Sequence, residues 1–266
     1  MASMEQHSFS QPPQPPQPPQ PPQSPQPQRS PQSPQPQRSP LSPQSPPRAL
    51  SVPSSPFPVL HGHGLRLRHW DHADEADVEA WLRGRTDPEF QRWNTPLKEM
   101  NDLVDARASL AEKALAAAER TAATYCVTDA ATGATLGHIS VEAINPVMRT
   151  GRIGYWVLPE ARGRGVASRA LAVVSRWALT ELGLQRLELG HAIGHEASCR
   201  VAERCGYPYE GTLRGAMFEA GRVDRFRDMH LHGRTAQDPE PELKPYAEDG
   251  GGDGAGGGDG GPAQGA

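Results

Sequence analysis

Ile153-Gly154-Tyr155-Trp156-Val157-Leu158-Pro159 runs directly into Glu160-Ala161-Arg162-Gly163-Arg164-Gly165-Val166-Ala167-Ser168. The first piece is a short apolar and aromatic run closed by proline, which predicts a strand and its stop. Beyond the second piece, Val166, Ala170, Val173, Val174, Trp177 and Leu182 recur at helical spacing, with Arg169, Arg176 and Thr180 on the other face. Strand, glycine-rich turn and helix in that order suit an anion. The first N–H groups of a helix have no partner within it and carry the positive end of its dipole. Glycines let a pyrophosphate approach that backbone. The expectation is a phosphate cradle on the amides of Gly163, Arg164, Gly165, Val166, Ala167 and Ser168, with added charge from Arg162 and Arg164. The spacing matches neither the G-x-G-x-x-G dinucleotide fingerprint nor a P-loop ending in Gly-Lys-Ser/Thr. The hexapeptide alone reads as a turn without a ligand; the flanking strand and amphipathic helix reverse that preference.

Outward from this stretch the composition changes sharply. Of 29 prolines, 20 precede Val59, and of 27 glycines, 10 follow Asp249. Residues 1–58 form a Pro/Gln/Ser-rich arm in which Gln-Ser-Pro-Gln-Pro-Gln-Arg-Ser-Pro occurs twice, at residues 23–31 and 32–40. Proline removes N–H donors and fixes φ, so the arm is expected to be extended, either a solvated tail or a ligand for a proline-reading partner. Residues 235–266 are acidic and then nearly pure Gly and Asp, a composition that stays disordered. Residues 59–234 remain as one domain, long enough to bury a sizeable core.

The formal net charge is −4, carried by the ends, and the middle balances 23 basic against 23 acidic residues. No basic surplus points to nucleic acid, so a nucleic-acid-binding protein is disfavoured. No apolar stretch approaches spanning length and no signal sequence opens the chain, so a cytoplasmic protein is expected. The three cysteines, Cys126, Cys199 and Cys205, have neither disulfide-framework nor zinc spacing and read as reduced thiols. His61-Gly62-His63-Gly64 reads as a linker, and no metal is expected.

In chain order, residues 65–70 alternate as a first strand, and Asp71 is placed as N-cap of a helix to about Leu82. Turns follow at Asp87-Pro88 and Asn94-Thr95-Pro96, then a helix over residues 103–119. Residues 124–128 and 135–144 form a hairpin about Ala131-Thr132-Gly133. After the central strand and helix come a strand over 184–193, a helix over 196–205 stopped by Gly206, and strands over 207–213 and 223–231 joined around residues 215–221. The order β-α-α-β-β-β-α-β-α-β-β predicts an α/β (α+β) fold with a mixed, mostly antiparallel sheet flanked by helices.

Arg162-x-x-Gly165-x-Ala167 resembles the acyl-CoA signature of the GNAT N-acetyltransferases, and the element order resembles their fold. Gly154-Tyr155-Trp156-Val157, His195-Glu196-Ala197-Ser198, Val201-Ala202-Glu203-Arg204-Cys205-Gly206-Tyr207 and Glu210-Gly211 are similar to the RimJ/RimL ribosomal-protein branch. The likeness covers residues 65–234, with His195 where that branch carries Asn near the pantetheine. It implies acetyl transfer from acetyl-CoA to a primary amine of a protein N-terminus or small molecule, in a monomer or homodimer. It further implies cofactor contacts on the strand end, Val157 and Leu158, with an oxyanion donor near Val157 where two parallel strands splay, and a contact at His195.

The resemblance gives Ser198 the role of acid to the leaving thiolate; read by itself, it is equally a helix-start serine bonding locally. Tyr155, Tyr207 and Tyr209 are weaker candidates for that role, because strand tyrosines usually pack. The bases in view are Glu142 and Asp224, each explained as well by a solvated strand face, and a water chain serves as well as either. A non-catalytic acyl-CoA-binding module recruited through the arm is the alternative.

Overall fold

The computed structural model describes residues 55–94, 98–219 and 222–243. The expected arm up to residue 54, the break at Thr95-Pro96, residues 220–221 of the last joint and the chain from residue 244 lie outside them. Eight strands form one sheet: β1 (Leu60–Gly62), β2 (Leu65–His69), β3 (Ala123–Asp129), β4 (Thr135–Asn145), β5 (Thr150–Val157), β6 (Arg186–Ala192), β7 (Tyr209–Glu219) and β8 (Arg222–Thr235). Their spatial order is β1-β2-β3-β4-β5-β6-β8-β7, and among the described strands only β5 and β6 pair in parallel. That is the mixed, mostly antiparallel sheet which the alternating signals predict.

Strand side chains alternate between faces, and the two faces hold different cores. Tyr125, Val127, Ile139, Val141 and Ile153 pack with α4 (Val166–Thr180) and with Ala202 of α5 (Glu196–Arg204). Cys126 and Trp156 point the other way, toward Val78 and Trp81 of α1 (Glu75–Thr86), Phe90 of α2 (Pro88–Trp93) and Leu110 of α3 (Leu103–Ala118). The apolar stripe of α4 buries Leu171, Val174 and Trp177 at 0–4% exposure, each worth roughly 1.5–3 kcal/mol. Gly84 of α1 admits the Trp156 ring, for a Cβ there would collide with it.

Several boundaries differ from the sequence reading, each for a local reason. His61 and Gly62 belong to β1, which pairs with β2 across a turn at His63-Gly64, so this stretch is a hairpin and not a linker. The first helix starts after Asp74, whose carboxylate accepts from the N–H groups of Ala76 and Asp77. Asp71 instead accepts from Ala73 N–H, one turn too early. Asp87-Pro88 opens the short helix α2, with Asp87 Oδ2 accepting from Phe90 N–H and proline at its first turn. β7 runs on to Glu219, through most of the expected joint.

The packed region also reaches past residues 59–234. Phe57 is 5% exposed and sits edge-on to Trp177 at 5.6 Å. Arg234, 2% exposed, pairs with Glu240 at 2.8 Å, and Leu243 packs on the core. Among the described residues, no helix is long and apolar enough to cross a membrane.

Candidate active site

The parallel ladder between β5 and β6 ends at Ile153↔Leu189, although β5 continues to Val157 and β6 to Ala192. The strands therefore part over their last residues. On its other side β5 stays paired, Val157 standing opposite Gly137 while Leu158 N–H bonds to Leu136 O at 2.9 Å. In an antiparallel ladder that bond marks Val157↔Gly137 as a pair without direct hydrogen bonds. The N–H groups of Val157 and Tyr155 then face away from β4, into the gap that β6 leaves.

After β5 the chain makes a single 3-10 turn, Pro159–Ala161, and enters α4 through two glycines in the left-handed region, Gly163 at φ +71° and Gly165 at φ +66°. A side chain at either position would strain the backbone. Gly165 is the N-cap and supplies no capping side chain, and the first turn of α4 carries no acidic residue. The helix's first amides, at Val166, Ala167 and Ser168, thus remain available at the positive end of its dipole. A Cβ built on Gly163 meets nothing within 4 Å, so there is open space against the backbone. The residues present fit a pyrophosphate.

A cleft of about 740 Å³ joins this cradle to the strand gap. Of the residues singled out in the sequence, Val157, Arg162, Gly163, Gly165, Val166, Ala167, Ser168, His195 and Ser198 line it. Leu158 does not; it is 1% exposed in the core under α1. Arg164 is exposed outside the lining, its carbonyl accepting from Arg169 Nη2 at 3.4 Å. Arg162 is also held by the fold. Its Nε donates to Val157 O at 3.1 Å and its guanidinium pairs with buried Asp87, so it ties the strand end to the cap of α2.

Ser198 lies in the first turn of α5, 5% exposed, with its Oγ 2.9 Å from the hydroxyl of Tyr155. Burial raises the Tyr155 phenol above its ordinary value, so it stays protonated. Tyr207 is instead fully buried, bonded to Ser175 at 2.6 Å, and Tyr209 bonds to Thr212 at 2.7 Å; neither lines the cleft.

Glu142 and Asp224 are not brought to the cleft. As an even-numbered residue of β4, Glu142 faces the side of α3, where Lys113 Nζ pairs with it at 2.6 Å. Asp224 is exposed near the end of the β7–β8 hairpin, paired with Arg222 at 2.8 Å.

The far wall comes from α2, which the sequence reading had as a turn. Phe90, Trp93 and Asn94 line the cleft with Glu89, and Glu89 is the carboxylate among the lining residues. Trp93 stacks flat on His195, with centroids 4.5 Å apart and planes at 2°, and its indole N–H donates to Glu89 at 2.6 Å. Arg227 of β8 donates to the carbonyls of Arg92 and Trp93, fastening this wall to the sheet. Burial, with His191 beside it, lowers the His195 imidazole to about 4, so the ring is neutral at neutral pH. Arg200 and Arg204, one turn apart on α5, add cations to the lining.

An acetyltransferase (GNAT) domain profile matches residues 65–208. YdaF of Bacillus subtilis is 35% identical over 89 residues, 34% of this chain and 49% of YdaF. The ribosomal-protein-serine acetyltransferase of Escherichia coli is 31% identical over 99 residues, 37% of this chain and 54% of that enzyme. The aligned segments thus span about half of these two relatives. Among solved structures, RimL, a ribosomal L7/L12 alpha-N-protein acetyltransferase in complex with coenzyme A, superposes with a TM-score of 0.59 at 21% identity, covering 67% of this chain and 96% of RimL. With residues 65–208, more than half its length, matched by the domain profile, this chain belongs to the GNAT acetyltransferase family.

Proposed function

We propose that this chain transfers the acetyl group of acetyl-CoA to the amine of a protein N-terminus, by direct attack. The observation that carries the reading is one continuous cleft joining the open start of α4 to the gap beside β5 and the Tyr155–Ser198 pair. The pyrophosphate sits on the amides of Val166, Ala167 and Ser168, and the pantetheine arm lies along the free edge of β5. Relatives whose names record ribosomal-protein acetylation support a protein amine as acceptor.

An α-amino group has a pKa of about 7.7–8.0, so a useful neutral fraction exists at neutral pH without a strong base, whereas a lysine-like amine near 10.4 needs more help. Glu89 attracts the ammonium form, and its proton leaves through water. The neutral nitrogen attacks the thioester carbon, and charge develops on the carbonyl oxygen. The N–H of Val157, turned into the gap, is the donor assigned to that oxygen. The carbon–sulfur bond then breaks, sulfur leaves with the electron pair, and the nitrogen, positively charged since its attack, gives its second proton to water. Ser198 Oγ–H supplies its proton and is recharged from the Tyr155 hydroxyl, which ends in exchange with solvent.

A panel of N-terminal peptides and small amines with acetyl-CoA, read by thiol release, tests the reading. Release with α-amino peptides is expected. Coenzyme A binding without release across the panel overturns the transfer reaction and leaves a cofactor-binding module.

A further inference from the structure

A second cluster of reactive side chains lies under α5, on the sheet face shared with α4. His191 of β6 stands opposite His230 of β8, and His232 is two residues further along β8, so all three imidazoles project from one face. Cys199 comes down onto them from α5. Its Sγ is 3.4 Å from His191 Nε2, 3.5 Å from His230 Nδ1 and 3.8 Å from His232 Nε2. The two Nε2 atoms of His191 and His232 are 3.3 Å apart. All four ligand atoms lie within 4.8 Å of one another.

Two features show that these are not four side chains merely packed together. The first is the proton count. His191 Nδ1 is 3.0 Å from Ala192 O, and His232 Nδ1 is 3.0 Å from Tyr207 O. A carbonyl oxygen can only accept, so both Nδ1 atoms carry the proton, and unless one ring holds a second proton the two Nε2 lone pairs face each other. At 3.3 Å such a contact is repulsive unless something positive lies between. The same carbonyl bonds are the outer-shell support that orients metal-bound histidines.

The second is the size of the figure. Zn–N bonds of about 2.0–2.1 Å and a Zn–S bond of about 2.3 Å give tetrahedral edges of about 3.3–3.4 Å for N···N and about 3.5–3.6 Å for S···N. Of the six edges here, the His191–His232 N···N edge is 3.3 Å and the three S···N edges are 3.4, 3.5 and 3.8 Å, while the two N···N edges to His230 lie within 4.8 Å. His230, the half-exposed imidazole, is the member free to adjust, while His191 and His232 are buried.

We propose that His191, Cys199, His230 and His232 form a four-coordinate site for a divalent zinc-class ion. Three imidazoles and one thiolate suit that class over calcium or magnesium, which take oxygen ligands. With all four positions filled by the protein, the ion is structural and has no coordination place for a reacting water. Uptake replaces the Cys199 thiol proton, which is released to solvent. The ion staples α5 to β6 and β8, and α5 carries Ser198 one residue before the ligand. The ligand spacing is spread over forty-two positions of sequence with no short pair of the finger type, which is why the chain reads as metal-free before it is folded.

The full chain, free of any polyhistidine tag and stripped with chelator under reducing conditions, is titrated with Co²⁺. One equivalent should give the intense visible bands of four-coordinate cobalt and a near-ultraviolet thiolate charge-transfer band, and one equivalent of Zn²⁺ should bleach both. Cys199→Ser should abolish the charge-transfer band, and His232→Ala the four-coordinate spectrum. Should His232→Ala fail to fold, His230→Gln at the half-exposed corner makes the same test. Cys126 and Cys205 are buried, so Cys199 is the thiol open to a disulfide reagent, and Zn²⁺ should suppress its reaction. Absence of the four-coordinate bands, their persistence unchanged in Cys199→Ser, or an unprotected thiol would overturn the site and leave the cluster as hydrogen-bonded side chains. None of these readouts depends on acetyl transfer.

Discussion

Ser198→Ala removes one partner of the 2.9 Å bond to Tyr155 inside the cleft. If Ser198 protonates the departing thiolate, kcat falls and the KM for acetyl-CoA stays, because the bond matters in the transition state. General acid help is worth about 10²–10⁴-fold, and thiolate leaves readily, so the loss belongs near 10², or ~2.7 kcal/mol on the barrier. The serine is 5% exposed. Tyr155 is half-buried on the cleft wall, so water can take the vacated place and the stability should change by less than about 1 kcal/mol. Tyr155→Phe separates a relay from two independent groups. In a relay the double variant is no slower than the worse single one, near 10²; independent contributions multiply toward ~10⁴. Stopped-flow thiol release under single turnover, with circular dichroism to confirm folding, measures all four corners of the cycle. A Ser198→Ala enzyme with unchanged kcat and a raised KM would refute the acid role and leave Ser198 as a contact to the pantetheine arm.

Gly165→Val places a branched side chain at φ +66°, a conformation costing about 1–2 kcal/mol, and crowds the helix start; calorimetry should find CoA affinity lower by about tenfold or more, and an undiminished affinity removes the phosphate from this cradle. Phe57→Ala should cost about 3–5 kcal/mol in denaturant unfolding, since the ring is buried against Trp177 with Arg120 over its face; a loss below about 1 kcal/mol would mean that the core does not reach so far toward the N-terminus. His138 accepts from Trp70 Nε1 at 3.2 Å, and burial lowers its imidazole to about 3. A folded value below the unfolded one of about 6.5 means that stability is present above pH ~6.5 and lost as pH falls from there toward 3, at up to ~1.4 kcal/mol per pH unit. His138→Gln keeps an acceptor and lacks the titration, so its stability should fall less steeply than wild type over that window; parallel curves would contradict a buried neutral imidazole.

What the sequence determined by itself is local. Hydrophobic period and turn chemistry placed β5, the glycine loop and α4, because a strand, an uncapped helix start and left-handed glycines depend on neighbours a few residues away. The same logic failed where a weak local signal met a strong tertiary one. Asp87-Pro88 reads as a turn, yet six residues become α2 because Phe90 has a core to enter. Arg162 reads as a phosphate ligand on the loop, and the sequence gives no sign that a buried carboxylate 75 positions away also pairs with it. Glu142 alternates correctly on its strand, but Lys113 of α3 pairs with it away from the cleft, a contact 29 positions away in the chain. The parting of β5 from β6 entered the sequence reading only through the family resemblance, and the stacking of Trp93 on His195 and the convergence of His191, Cys199, His230 and His232 were decided by the tertiary structure alone. Each joins residues whose separation in the chain leaves no periodicity to read, and only the register of β6 with β8 and the docking of α5 bring their atoms within bonding reach.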